Sequence, residues 1–293
     1  NFVSAGLKPK VMQGVTTDAI SQCGLSVAPI LKECKEEWKE NLIIGNPPID
    51  WSWNSMEDFI YALQVNGTEY NVVPFVGHGS LRYDVKKDRS EKLNNSELSL
   101  MGSLTQEAFE SGVRGLSLGL IYIPAVFYQR KEIEYLLQIT SNYDGIAAVH
   151  LRSESDELVK SIQEMIDLAA KVDCQLHISH LKAIGKQNWS QLDQALELIN
   201  KYNITFDSYP YITGNTTLMA TLPPFLFAGD GLADTLAKLK QSKVRQKVKD
   251  IFAGRRQPDS GLPWDNIPYL VGWDNIKVID VNTKKNQELI GST

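Results

Sequence analysis

Apolar residues arrive along this chain in two rhythms, and their alternation predicts the fold. An apolar run, Gly145-Ile-Ala-Ala-Val149, ends in His150. Leu158, Ile162, Met165, Ile166 and Ala169 then recur at three- and four-residue intervals, the spacing of a helix with one buried face. Ser153, with Asp156 three residues on, reads as a capping box at its start. A second short apolar run ends in His180. The whole is one β-α-β unit with a histidine at the carboxyl end of each strand, and the thirty-residue step between them suits strand, helix and strand. Parallel neighbours put both imidazoles at one rim, the rim where β/α barrels build active sites.

The same reading extends in both directions. Strands are predicted over 14–20, 70–76, 112–118 and 204–209, and helices near 104–111, 132–141 and 189–201. Residues 1–10 read as a loop tail, and the charged stretch 86–95 as a loop. Residues 29–66 are helical in character, rich in tryptophan and broken at Pro47-Pro48, as an elaboration on the rim would be. That makes six strands, each an apolar run rather than a strict alternation, as in a parallel sheet covered on both faces. Strands alternating with helices mean α/β. From Asn215 the pattern changes: 218–227 is apolar, 232–252 is one long basic-leaning helical stretch, and 264–281 holds two short strand-like runs. The expected organisation is a barrel core over 1–212, with 29–66 as its rim insertion, and a lid or insertion subdomain over 213–293.

Composition narrows the function classes. A chain of 293 residues with 43% hydrophobic content suits one β/α barrel with a large core. A net charge of −5 argues against nucleic-acid and anionic-membrane partners, which need basic patches. No apolar run reaches the roughly 18 residues of a membrane span. Cys23, Cys34 and Cys174 are few, odd in number and widely spaced, unlike a disulfide framework. With no signal-peptide pattern at the start, this points to the cytoplasm.

Cys23, His78, His150 and His180 all fall at predicted strand ends. A thiolate and neutral imidazoles are the ligands Zn²⁺ prefers. A lone histidine at a strand end is more often structural, but several at one rim weigh toward a metal site. His177 has the opposite parity to His180 and reads as structural, while Cys34 and Cys174 read as packing residues. Lys182 shares the parity of His180, and Arg152 that of His150. Both therefore suit either an anionic substrate group in the cleft or the solvated surface. Asp207 fits a base, a ligand or, more commonly, a turn residue.

Six blocks in order resemble the N-acyl-D-amino-acid deacylases (D-aminoacylases) of the amidohydrolase superfamily: GVTTDAISQCGLSVAP, GHGSLR, GLSLGLIY, HLRSESD, ISHLKAIGKQNW and DSYPYITGNTTL. The resemblance covers roughly residues 8 to 224. It implies a TIM-type β/α barrel of the metal-dependent hydrolase kind beside a small β domain, with Zn²⁺ bridged by a cysteine. By motif, Cys23, His150 and His180 are metal ligands, and Tyr122 and Lys182 hold the α-carboxylate of a small N-acyl-D-amino-acid substrate. His78 belongs to a family block without being a ligand. Gln22, Leu151, Ser153 and Ile123-Pro-Ala-Val126 depart from the usual residues, which leaves the acyl preference open. The superfamily's His-x-His pair has no counterpart in this sequence, and its catalytic aspartate is expected beyond Thr293. The expectation is therefore an incomplete barrel, strands 2 to 7 of 8, inactive by itself. Rival readings are a dihydroorotase- or hydantoinase-like cyclic amidase, a metal-free barrel scaffold, and Cys23 as a covalent nucleophile.

Overall fold

Parallel pairing in chain order is the skeleton of the computed structural model, which describes residues 8–35, 51–68, 70–86, 90–229, 232–256, 262, 264–281 and 283–293. Six strands, β1 (Thr17–Ile20), β2 (Asn71–Gly77), β3 (Gly115–Gly119), β4 (Ile146–His150), β5 (Gln175–Ile178) and β6 (Thr205–Phe206), make one sheet in the order β1-β2-β3-β4-β5-β6. With its helices it forms an incomplete TIM-type β/α barrel. Val76, Leu116, Leu118, Ala147, Val149 and Ile178 are fully buried, which is why the central segments read as apolar runs. β1 is exposed at Thr17 and both residues of β6 are exposed, so the edge strands are not covered on both faces as expected.

Helices α1 (Met56–Asn66), α2 (His78–Val85), α3 (Asn95–Glu110), α4 (Arg130–Asn142), α5 (Leu158–Ala170) and α6 (Gln191–Lys201) cover the sheet. Ile133, Leu136 and Leu137 of α4 and Leu158, Ile162, Met165 and Leu168 of α5 join the strand side chains in one core. Each such fully buried side chain contributes about 1.5–3 kcal/mol.

Several boundaries differ from the sequence reading. Helix α3 starts at Asn95 rather than near 104, because Asn94 and Glu97 close a capping box there. Ser153 and Asp156 do not cap α5, which starts at Leu158 without a side-chain cap. Their groups are engaged elsewhere: Ser153 Oγ donates to Asp265, and Asp156 accepts from Asn188 Nδ2 at 2.9 Å. Residues 1–7 of the expected loop tail lie outside the described residues, and Lys8–Val11 forms a helical turn. Of the rim insertion, residues 36–50 with Pro47-Pro48 also lie outside them, as do 87–89 of the charged loop. Trp51 and Trp53 are buried, and both indole Nε1 groups donate to Val27 O.

Beyond β6 the expected long helix divides into α7 (Leu232–Lys240) and α8 (Ser242–Phe252) at Gln241, whose backbone is extended. The break packs Leu239, Val244, Val248 and Phe252 around Leu226 and Phe227 in a second apolar cluster. The strand-like runs of 264–281 are instead a short helix, α9 (Ile267–Val271), followed by a 3-10 turn at Trp273–Asn275. Asn266 caps α9 by accepting from Tyr269 N, a local bond that competes with strand pairing. No helix among the described residues is long and apolar enough to cross a membrane.

One polar cluster lies within the buried layer. Glu132 of α4 accepts from His78 Nε2 at 2.7 Å and from Arg82 Nη1 at 2.6 Å, with all three side chains inaccessible to solvent. His78, placed by sequence at a strand end, is thus the first residue of α2 and part of the framework.

Candidate metal centre

The register of the sheet builds the site. Gly119 pairs with His150, and Ser179 N donates to Val149 O at 3.0 Å, so the chain after β5 leaves the sheet beside the end of β4. His180 then takes a left-handed backbone conformation (φ 41°), held by Asp207 Oδ1, which accepts from His180 N at 2.6 Å. His150 and His180 end with ring centroids 4.4 Å apart, edge to face.

Cys23 comes to the same point from the turn after β1. Gly24 N donates to Ser117 Oγ at 2.8 Å, which ties that turn to β3. The approach is so close that a Cβ on Gly119 would sit 1.9 Å from Cys23 O. Cys23 Sγ lies 3.3 Å from His180 Nε2. One ligand atom from each of Cys23, His150 and His180 falls within 4.8 Å of the others. Gly119→Ala is therefore expected to push the Cys23 turn off the centre and weaken any metal held there by at least about tenfold, for about 1–3 kcal/mol of overpacking. Chelator competition against wild type measures it, and equal affinity would contradict the close approach.

His150 gives the test of fit for a cation. It is 5% exposed, and neither ring nitrogen has a hydrogen-bond partner. Glu154 Oε2 is 3.5 Å from Nε2 without hydrogen-bond alignment. Burial pushes the His150 pKa down to about 3, only partly opposed by Glu154, so the ring is neutral and able to ligate. Two buried, unpartnered nitrogens cost stability unless something binds them. A soft thiolate with two imidazoles is a donor set that suits Zn²⁺.

Glu154, which sequence reasoning passed over, stands at the centre of the charges. Its carboxylate accepts from Lys182 Nζ at 2.5 Å and lies 3.1 Å from His180 Nδ1. Burial would raise its pKa, but His150, His180 and Lys182 hold it down at about 2. Burial lowers the His180 pKa, yet the bonds to Cys23 and Glu154 more than offset that and raise it to about 9. A cation taking Nε2 displaces that proton. The signal in sequence was an acid four residues after His150, in a polar run after an apolar strand.

The other predicted residues divide. Tyr122 packs its ring edge on His150, with centroids 4.7 Å apart. Burial raises its phenol pKa, and Cys23 and Glu154 raise it further, so it stays protonated. Lys182 Nζ donates to Glu154 Oε1 and, at 2.9 Å, to His180 O, and lies 2.9 Å from His180 Nδ1. Arg152 is not brought to this group. Its Nε donates to Glu164 Oε2 at 3.2 Å, and its guanidinium lies over the Tyr128 ring at 4.1 Å. The strand ends at His150, so the parity argument for Arg152 does not carry past it. His177 pairs with Asp207 Oδ2 at 2.9 Å and lies 2.8 Å from Thr205 Oγ1.

Fold and site together define a β/α-barrel protein of the metal-dependent hydrolase kind. No protein-family profile matches the chain. It is 31% identical over 216 residues to the D-aminoacylase of Alcaligenes xylosoxydans xylosoxydans, covering 72% of this chain and 44% of that protein. To the N-acyl-D-aspartate deacylase of the same organism it is 31% identical over 215 residues, covering 72% and 43%. Among solved structures it resembles the N-acyl-D-glutamate deacylase of Bordetella bronchiseptica, complexed with zinc and a phosphonate inhibitor. That match has a TM-score of 0.64 and 25% identity, and covers 86% of this chain and 55% of that one. A structure addressing the binuclear metal centre of D-aminoacylase matches with a TM-score of 0.62 and 28% identity, over 70% of this chain and 44% of that one. Over the matched residues the chain belongs to the N-acyl-D-amino-acid deacylase (D-aminoacylase) family of the amidohydrolase superfamily. It spans less than half the length of these two curated relatives.

Proposed function

We propose that this chain carries the zinc centre of an enzyme that hydrolyses the amide bond of N-acyl-D-amino acids to a carboxylate and a free D-amino acid. The observation that carries the reading is the convergence of Cys23, His150 and His180, with both His150 nitrogens left without a partner. These three residues would hold the cation. When bound, zinc supplies Lewis-acid polarisation of the acyl carbonyl and acidifies water. Lys182 places its positive charge beside the centre, where a substrate α-carboxylate is recognised. Tyr122, protonated and adjacent to His150, supplies a hydroxyl donor to the same group. Handedness is read between that clamp and the centre. The segment 213–293 serves as the lid, and Leu226 and Phe227 of its apolar stretch pack it against Leu239, Val244 and Val248. No described residue is assigned as general base. The few scattered cysteines fit a cytoplasmic enzyme.

A second reading rests on the 3.3 Å approach of Cys23 Sγ to His180 Nε2, which suits a thiolate nucleophile with its base. Assay of the full-length protein on N-acetyl-D- and N-acetyl-L-amino acids, with and without chelator, tests both. Release of the D-amino acid alone, lost on zinc removal and restored by zinc, is expected. Activity on cyclic amides alone would reject the proposal. Inactivation by thiol alkylation, with no effect of chelation, would favour the nucleophile.

A further inference from the structure

Asp265 lies more than a hundred residues along the chain from the strand that ends in His150, yet it is 3% exposed and inserted beside the turn that follows it. Its carboxylate takes three donors from one turn: Ser153 Oγ at 2.6 Å, Ser155 Oγ at 2.5 Å and Glu154 N at 2.8 Å. The turn is held from its other side by Ile184 N, which donates to Glu154 O at 2.7 Å. Between these two grips the turn projects a single side chain, Glu154, itself 3% exposed, toward His180 Nδ1 and Lys182 Nζ. Lys182 Nζ, which donates to Glu154 Oε1 at 2.5 Å, itself lies 2.9 Å from His180 Nδ1, so Glu154 and Lys182 together hold the orientation of the ring through its far nitrogen. Here that leaves His180 Nε2 directed at the Cys23 side of the ring.

We propose that Asp265 is a remote positioning residue of the metal centre, which by gripping the Ser153–Ser155 turn holds Glu154 against His180 and so sets His180 as a ligand. The inference rests on the zinc reading above. It gives residue 265 a role that its neighbours in sequence do not suggest.

The test is a double-mutant cycle on the full-length protein, reading Zn²⁺ affinity by chelator competition. Glu154→Gln is expected to weaken zinc by roughly 10- to 100-fold, and Asp265→Ala by at least about tenfold. The double variant is expected to be no weaker than Glu154→Gln alone, because Asp265 acts only through Glu154. Co²⁺-substituted Asp265→Ala should show an altered d–d spectrum while keeping the thiolate charge-transfer band of Cys23. Should Asp265→Ala fail to fold, Ser155→Ala and Ser153→Ala remove the donors singly and are expected to shift affinity in the same direction. Wild-type affinity in Asp265→Ala, or losses that simply add in the double variant, would overturn the proposal and leave the zinc reading standing. Failure of the wild-type protein to bind zinc would instead sink the zinc reading itself, and this one with it.

Discussion

Replacing His150 by leucine is expected to abolish high-affinity zinc binding while raising the stability of the metal-free protein. The two effects have one cause. His150 is buried with two unpartnered ring nitrogens, so in the absence of a cation it is a polar group taken out of water for nothing. Such a group costs about 1–3 kcal/mol, and a leucine of similar bulk removes that cost. With zinc present the sign reverses, because a lost ligand costs more than the roughly 10- to 100-fold loss that follows removal of a supporting residue. Urea denaturation with chelator and with zinc measures both halves. A His150→Leu variant less stable than wild type in chelator would show that the imidazole serves the fold instead.

Glu132→Gln is expected to destabilise the protein by about 3–5 kcal/mol. Glu132, His78 and Arg82 are shut away from solvent together, and the amide would take the buried carboxylate's charge away from both His78 and Arg82. Replacing Glu132 and Arg82 together by leucine and methionine is expected to cost less, since the buried charge pair is then removed as a unit and the main loss is the acceptor of His78 Nε2. The pH dependence follows from the direction of the Glu132 shift. Burial would raise its pKa, but the hydrogen bond and charge of His78 and the charge of Arg82 hold it below the ordinary 4.5. A depressed folded pKa means the unfolded chain takes up the proton first on acidification. The contribution is therefore complete above about 4.5 and is lost as pH falls through the folded value. Urea midpoints between neutral and acid pH check this, and a Glu132→Gln variant within about 1 kcal/mol of wild type would contradict it.

The barrel was legible in the sequence at its centre, where the buried strands β3 and β4 keep an apolar pattern, and less so at β1 and β6, whose residues are largely exposed. The run before His150 and the helix after it show this best, with Val149 and Leu158 both fully buried. Reading failed where a local motif had a distant competitor. Ser153 and Asp156 have the spacing of a capping box, yet Asp265 and Asn188 take their hydrogen bonds. Arg152 has the right parity for the cleft, but the strand stops two residues before it and Glu164 claims its charge. Glu154 lies within HLRSESD, but its role does not show there, because its partners, His180 and Lys182, meet it only across the β4–β5 step. Asp265 carries no local signal, since its three donors lie on a turn over a hundred residues earlier.

The metal centre depends on one sulfur and two imidazoles sharing a cation. X-ray absorption at the zinc edge of the zinc-loaded full-length protein tests this directly. The expected spectrum contains a sulfur scatterer at about 2.3 Å with imidazole nitrogens at about 2.0–2.1 Å, and the sulfur is lost in Cys23→Ser. A zinc shell of nitrogen and oxygen alone in the wild-type protein would contradict it.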